Sequence, residues 1–178
     1  VPSEPLGDTF LHQLSTNGPM ARNPADLALL LSVQAGGDPR QPHTTPLAEA
    51  SGKRPRRIGW LADWGGAFPM EDGILALCEE ALKVFEYLGH EVVALSAGFS
   101  SEALWESWTS LRSWQVAMGL TAIEAMPGGR DALKETAIWE LDRGRAMSGT
   151  DIHRASLTRS QWFAQAAQLF EDVDVLVL

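Results

Sequence analysis

The chain has 178 residues, of which 45% are hydrophobic, and a formal net charge of −9. This composition is typical of a folded globular domain and excludes a disordered chain, and no apolar run approaches the roughly 18 residues of a membrane-spanning helix. The negative charge would repel phosphate backbones, so neither nucleic acid nor a membrane is an expected partner. A single cysteine, Cys78, and no visible secretory signal predict a reducing, cytoplasmic location.

A distinctive turn precedes the first predicted helix. Residues 17–22 read NGPMAR, and the Gly-Pro pair favours a turn. Asn23 follows as a helix cap, Pro24 suits the first helical position, and Asp26 suits the positive end of the helix dipole. Residues 36–55 are rich in Pro, Gly, Ser and Thr without periodicity, which predicts a long connecting loop.

A strand, a helix and a second strand follow in close succession. The sequence predicts strands at 57–62 and 91–95 with an apolar-striped helix at 70–88 between them, a unit whose strands run parallel. The loop DWGGAFP leaves the carboxyl end of the first strand, where parallel sheets place their ligands. Trp64 and Phe68 in this loop are therefore candidate substrate-binding residues, the alternative being ordinary packing.

The second half of the chain is mostly helical. Helices are predicted at 101–124 and 131–146, and Thr150 is expected to cap a third that runs to about residue 170. The chain ends in VDVLVL, a buried-strand pattern at 173–178. Three tryptophans of the first helix are expected to pack in a core: Trp105, Trp108 and Trp114. The predicted class is α/β, with a few-stranded, mainly parallel sheet and several helices.

Other chemistry-bearing residues have simpler structural interpretations. The four histidines form no pair at metal-ligand spacing, and no phosphate-loop motif is present, so neither a metal nor a cofactor is predicted. Ser100 and Ser101 are better explained as helix caps than as nucleophiles. The basic cluster within residues 53–57 is interpreted as a solvated strand entrance rather than a nucleic-acid or lipid patch.

The turn at 17–22 resembles the GPMAR-x-x-x-D segment of the amidase signature family. The residues that carry this motif are Gly18, Pro19, Met20, Arg22 and Asp26. Four further segments resemble the family: AGGDPRQP at 35–42, RIGWLADWGG at 57–66, YLGHEVV at 87–93 and VDVLVL at 173–178. The resemblance therefore extends from end to end, more weakly between residues 100 and 171.

The resemblance implies an α/β/α sandwich and a serine hydrolase that cleaves a carboxamide to a carboxylic acid and ammonia or an amine. It implies a Ser nucleophile, a second Ser joined through a cis peptide bond, and a Lys base. No GGSSGG-like run, which carries the nucleophile, occurs here, and the three lysines stand in other contexts: Lys53, Lys83 and Lys134. We therefore expect no catalytic residue in this segment.

Residues 1–178 are accordingly expected to form a single partial domain, the C-terminal part of an amidase core, inactive alone. Arg22 and Asp26 are expected to brace the turn, with the acceptor of Arg22 lying outside the segment. The alternative is a non-catalytic interaction module with an amidase-like scaffold, and an unrelated α/β binding protein is disfavoured. A homo-oligomer or strand exchange is expected through sheet edges at 57–62 and 173–178.

Overall fold

The computed structural model describes residues 17–36 and 56–178. These residues belong to two separate units, 17–36 to the first and 56–178 to the second. Nearly all of the predicted loop at 36–55 lies outside the described residues.

The first unit contains helix α1 (Pro24–Gln34), whose start follows from its cap. The side chain of Asn23 accepts a hydrogen bond from the backbone N–H of Asp26 at 2.9 Å, and its Nδ2 donates to the Asp26 carboxylate at 2.8 Å. These two bonds satisfy one otherwise unpaired N–H of the first turn and fix the entry of the chain. The predicted Asn23 cap is confirmed, and Asp26 takes part in it.

The second unit is built around a three-stranded parallel sheet. Its strands are β1 (Arg57–Trp60), β2 (Glu91–Ala94) and β3 (Val175–Val177), in the order β2-β1-β3. In the register, Gly59 of β1 lies opposite Val93 and Leu176. The α/β class and the parallel pairing are therefore confirmed, and each strand is shorter than predicted. Strand β3 is an edge as expected, but β1 pairs on both sides, so the expectation that 57–62 forms an edge is wrong.

Four helices accompany the sheet in the described part of this unit. They are α2 (Ile74–Tyr87), α3 (Ser101–Glu124), α4 (Glu135–Ala146) and α5 (Gly149–Asp172). Helix α2 contacts β2, and α3 packs against both α4 and α5. Helix α3 has the predicted bounds. None of the described helices is long and apolar enough to cross a bilayer.

Three predicted helix starts are corrected by local geometry. Helix α2 begins at Ile74 rather than 70, because Gly73 at its N-cap has φ +88°. Helix α4 begins after Lys134, whose extended backbone interrupts the stretch predicted from 131. Ser148, not Thr150, caps α5: its Oγ accepts from the Asp151 N–H while its own N–H donates to the Asp151 carboxylate.

The helical packing rests on small residues where α3 and α4 cross. Leu141 and Ser113 are almost fully buried, and Gly144 brings the backbones of the two helices together. The expectation that Trp105 and Trp108 pack in the core is wrong, since their exposed fractions are 62% and 39%. Their helical spacing marks a shared face, but among the described residues that face is only partly covered.

Candidate functional site

Arg56 and Arg57, the described members of the basic cluster, lie at the amino ends of the strands. The backbone N–H of Arg57 donates to the Asp174 carboxylate at 2.9 Å, and that of Arg56 donates to Nδ1 of His90 at 3.0 Å. The Arg57 guanidinium also faces the Glu91 carboxylate at 3.3 Å. These contacts join the starts of all three strands, so Arg56 and Arg57 tie the sheet together. The opposite, carboxyl ends of the strands carry the candidate site.

The loop after β1 is built around Asp63. The carbonyl oxygen of Asp63 accepts bonds from the N–H groups of Ala67 and Phe68, at 3.1 and 3.2 Å. Its side chain accepts from the Gly66 N–H at 2.8 Å. The backbone of Ala62 and Trp64 lies in the left-handed region, at φ +52° and +60°. Each such non-glycine residue costs about 1–2 kcal/mol, and strain of this kind concentrates at functional loops.

This loop presents Trp64 to an aromatic cluster, which we define as Trp64, Phe68, Phe99 and Trp162. The ring of Trp64 lies 5.0 Å from that of Trp162 and 6.0 Å from that of Phe68, centroid to centroid. Phe99 contacts Trp162 at 5.6 Å. The indole N–H of Trp64 donates to the Phe99 carbonyl at 3.1 Å, so its polar edge is satisfied while its ring remains available for apolar contact.

The structure thus brings the two predicted residues, Trp64 and Phe68, together, and it adds two that the sequence analysis missed. Phe99 follows the carboxyl end of β2, so the rule that pointed to Trp64 could have found it. Trp162 lies on α5, more than sixty residues further along, and no local signal marks it. Gly98 lies between β2 and Phe99 with φ +62°, a left-handed conformation that glycine adopts without strain.

The residues of the NGPMAR motif lie in the other unit. Asp26 serves in the cap of α1, and Met20 is 93% exposed. Gly18 and Arg22 are exposed, and Pro19 is half-buried. The described geometry therefore gives Asp26 a structural contact, and the expected acceptor of Arg22 stays a prediction.

No cluster of residues that could hold a metal ion occurs within residues 17–36 and 56–178. Of the lysines, Lys83 pairs with Glu80 on the surface of α2, and this partner raises the pKa of Lys83. A lysine stabilised as the ammonium is a poor general base. Lys134 is the N-cap residue of α4, and Lys53 lies outside the described residues.

A network of ion pairs joins the end of α3 to α4. Glu124 accepts from Arg145 and from Arg130, the latter at 2.9 Å, and Arg130 also pairs with Asp142 at 2.7 Å. The hydrogen bond from Arg145, and then that from Arg130, lowers the pKa of Glu124. The Arg130 guanidinium likewise lowers the pKa of Asp142. Each group supports its partner's charged form, as expected of a structural tie rather than a proton-transfer site.

The fold is a parallel β–α–β unit followed by helices, and a strained aromatic loop lies at the carboxyl ends of its strands. Ligand-binding α/β enzymes place their ligands at this edge of the sheet. The family model described as Amidase matches residues 1–178. The chain therefore belongs to the amidase family, which confirms the resemblance carried by the NGPMAR motif.

Two relatives show the extent of the match. The acylamidase of Rhodococcus erythropolis is 27% identical over 99% of this chain and 38% of its own length. A glutamyl-tRNA(Gln) amidotransferase subunit from Thermus thermophilus is 30% identical over 95% of this chain and 41% of its own length. The chain thus spans about two fifths of the length of these relatives.

Solved structures show the same fold. A bacterial aryl acylamidase of the amidase signature family superposes with a TM-score of 0.78 at 24% identity, covering 89% of this chain and 35% of that one. The 6-aminohexanoate cyclic dimer hydrolase gives a TM-score of 0.66 at 19% identity, covering 83% and 33%. The α/β fold of this chain is therefore one found in the amidase family.

Proposed function

We propose that the protein in which this chain occurs hydrolyses a carboxamide to a carboxylic acid and ammonia or an amine. The observation that carries this proposal is the family match over residues 1–178, which includes the NGPMAR motif at 17–22. The similarity to an acylamidase over 99% of the chain points to the same reaction class.

The aromatic cluster supplies one wall of the proposed substrate pocket. Trp64 is held from two sides, by the bond to the Phe99 carbonyl and by the ring of Trp162. Phe68 is 36% exposed at the rim of the cluster. A fixed, partly exposed pair of rings favours a flat apolar group of the substrate, since such rings gain contact area at little entropic cost. We therefore propose an aryl amide as the preferred substrate, as the name of the structurally similar aryl acylamidase also suggests.

Residues 1–178 are proposed to supply scaffold and pocket wall, and not the reacting groups. The sequence has no Gly/Ser-rich run of the kind that the family resemblance requires for the nucleophile and the oxyanion donors. Amide hydrolysis is accordingly expected of the natural protein and not of these residues alone.

The test compares the natural protein with residues 1–178 expressed alone. Benzamide and acetanilide are supplied to each, and ammonia or aniline release is measured with and without a serine-directed fluorophosphonate. We expect hydrolysis by the natural protein that the probe abolishes, and none by residues 1–178, whose folding is checked by circular dichroism. Probe-sensitive hydrolysis by the short chain would overturn its inactivity. A natural protein that hydrolyses neither amide, while folded, would instead support the non-catalytic module.

Self-association of residues 1–178 also stays a proposal, now through β2 and β3, the outer strands of the described sheet. Unpaired strand edges offer N–H and C=O groups to a second chain. Light scattering that shows only monomer at high concentration would contradict it.

A further inference from the structure

A cavity opens between α3 and α4 and is lined by three tryptophans. Its volume is about 510 Å³. Trp105 and Trp108 on α3 and Trp139 on α4 face it, with exposed fractions of 62%, 39% and 59%. The rings of Trp105 and Trp108 lie 5.1 Å apart and tilted by 30°. The volume falls within the roughly 300–1,000 Å³ of small-molecule sites, and the three rings offer apolar contact area to a ligand in it.

One wall of this cavity is held rigid by an ion pair. Nε of Arg112 donates to Oε1 of Glu140 at 2.8 Å, and the guanidinium lies 5.5 Å from the ring centre of Trp108. Glu140 thus has its charge balanced. Its other oxygen, Oε2, is buried and has no hydrogen-bond partner among the described residues. Because Oε2 has almost no accessible surface, the cavity does not reach it, and Glu140 contributes to the site through its ion pair with Arg112.

A second cation, Arg143 on α4, also lines the cavity. Arg143 donates to the hydroxyls of Ser113 and Ser110, at 3.0 and 3.2 Å, and lies 5.5 Å from the ring centre of Trp139. Hydroxyls orient a guanidinium but do not neutralise it. Within the described residues Arg143 has no carboxylate at ion-pair distance, whereas Arg112 and Arg145 each have one.

We propose that this cavity binds a small aromatic carboxylate. The ring would lie against the tryptophans, and the carboxylate would pair with Arg143, whose fork of N–H groups matches it. Since Arg112 and Glu140 cancel, the lining carries one net positive charge in a chain whose net charge is −9. The positive charge of the lining favours an aromatic anion over a neutral aromatic ligand. The inference does not depend on the proposed hydrolysis.

The test is calorimetric titration of the natural protein with naphthoate and with naphthamide, which share a ring system and differ in charge. A charged hydrogen bond at this site corresponds to about a tenfold preference for naphthoate. Arg143→Gln should weaken naphthoate binding about tenfold and leave naphthamide unchanged, removing the preference. Rising salt should weaken only naphthoate binding.

Further variants separate the site from general effects on the fold. Trp139→Ala should weaken both ligands, because it removes ring contact and not charge. Arg154→Gln is the matched charge control, since its side chain is 72% exposed and lies on α5, and it should leave both affinities unchanged. Phe163→Ala, at a 76% exposed ring, is the matched aromatic control. If circular dichroism shows that the Arg143→Gln variant is unfolded, Trp139→Ala alone tests whether the ligands bind in this cavity.

Three results would overturn the proposal. The first is equal affinity of the natural protein for naphthoate and naphthamide, or no saturable heat for either. The second is naphthoate binding that a folded Arg143→Gln variant leaves unchanged. The third is unchanged binding of both ligands in Trp139→Ala, which would place them elsewhere.

Discussion

The close approach of α3 and α4 makes Gly144→Ala the sharpest test of the packing. A Cβ at Gly144 would lie 2.2 Å from the carbonyl oxygen of Ser113 and 2.7 Å from the Cβ of Ala117. The first of these atoms is backbone and has no rotamer with which to move away. Since contacts under 3.0 Å essentially do not occur for a real Cβ, the helices would have to separate by close to an ångström.

The magnitude follows from two opposing terms. Alanine is a better helix former than glycine by about 1 kcal/mol in a helix interior. Overpacking a close contact costs about 3 kcal/mol at the upper end of the usual range, which applies here because the clash is with backbone. We therefore expect Gly144→Ala to lower the free energy of unfolding by about 2 kcal/mol.

Gly119→Ala is the matched control, because Gly119 also lies inside a helix, α3, and nothing lies within 4 Å of its Cβ position. Only the propensity term applies there, so this variant should gain up to about 1 kcal/mol. Urea unfolding of the natural protein and both variants, followed by circular dichroism, measures the difference. A Gly144→Ala variant as stable as Gly119→Ala would refute the argued contact between the helices.

Three further predictions concern a cap, an ion pair and the aromatic cluster. Ser148→Ala should cost about 1 kcal/mol of unfolding free energy, measured with urea, and should raise the lowered pKa of Asp151, whose main cause is the Ser148 hydroxyl. The pKa of Glu124 is lowered chiefly by Arg145, so its stabilisation is present above its ordinary value of 4.5 and is lost as pH falls through its folded pKa. Glu124→Gln should therefore make the free energy of unfolding fall less steeply as the pH drops below about 4.5. An unchanged fall would contradict the stabilising ion pair between Glu124 and Arg145. Trp64→Ala should lower kcat/KM for an aryl amide about tenfold and spare acetamide, and an equal fall for both would argue against ring contact.

The order of the sheet elements was predictable because each has a local cause. The apolar runs at β1 and β2 and the stripe of α2 between them are close in sequence, so the strand–helix–strand unit follows from pattern and handedness. Asn23 capped α1 as predicted, since its partner Asp26 lies only three residues away. The Ser148 cap was also within reach, because Ser148 and Asp151 have the spacing of a capping box.

What the sequence could not supply was contact between distant segments. Trp105 and Trp108 have helical spacing, which indicates a common face but not what covers it. Trp162 meets Trp64 only because α5 returns to the sheet, and Arg143 meets Ser110 only because α3 and α4 cross closely. Such contacts depend on helix packing, for which single-sequence periodicity holds no information.

The two proposed sites depend on different neighbours, and this gives Gly144→Ala a second use. The tryptophan-lined cavity draws Trp139 and Arg143 from α4, whereas the aromatic cluster draws its rings from the loop after β1, the segment after β2, and α5. A displaced α4 should thus weaken naphthoate binding about tenfold while leaving kcat/KM for an aryl amide nearly unchanged, measured well below the unfolding transition. A proportional loss of both would mean that a shift of α4 reaches the aromatic cluster through α3 and α5, and the two sites could not then be treated as independent.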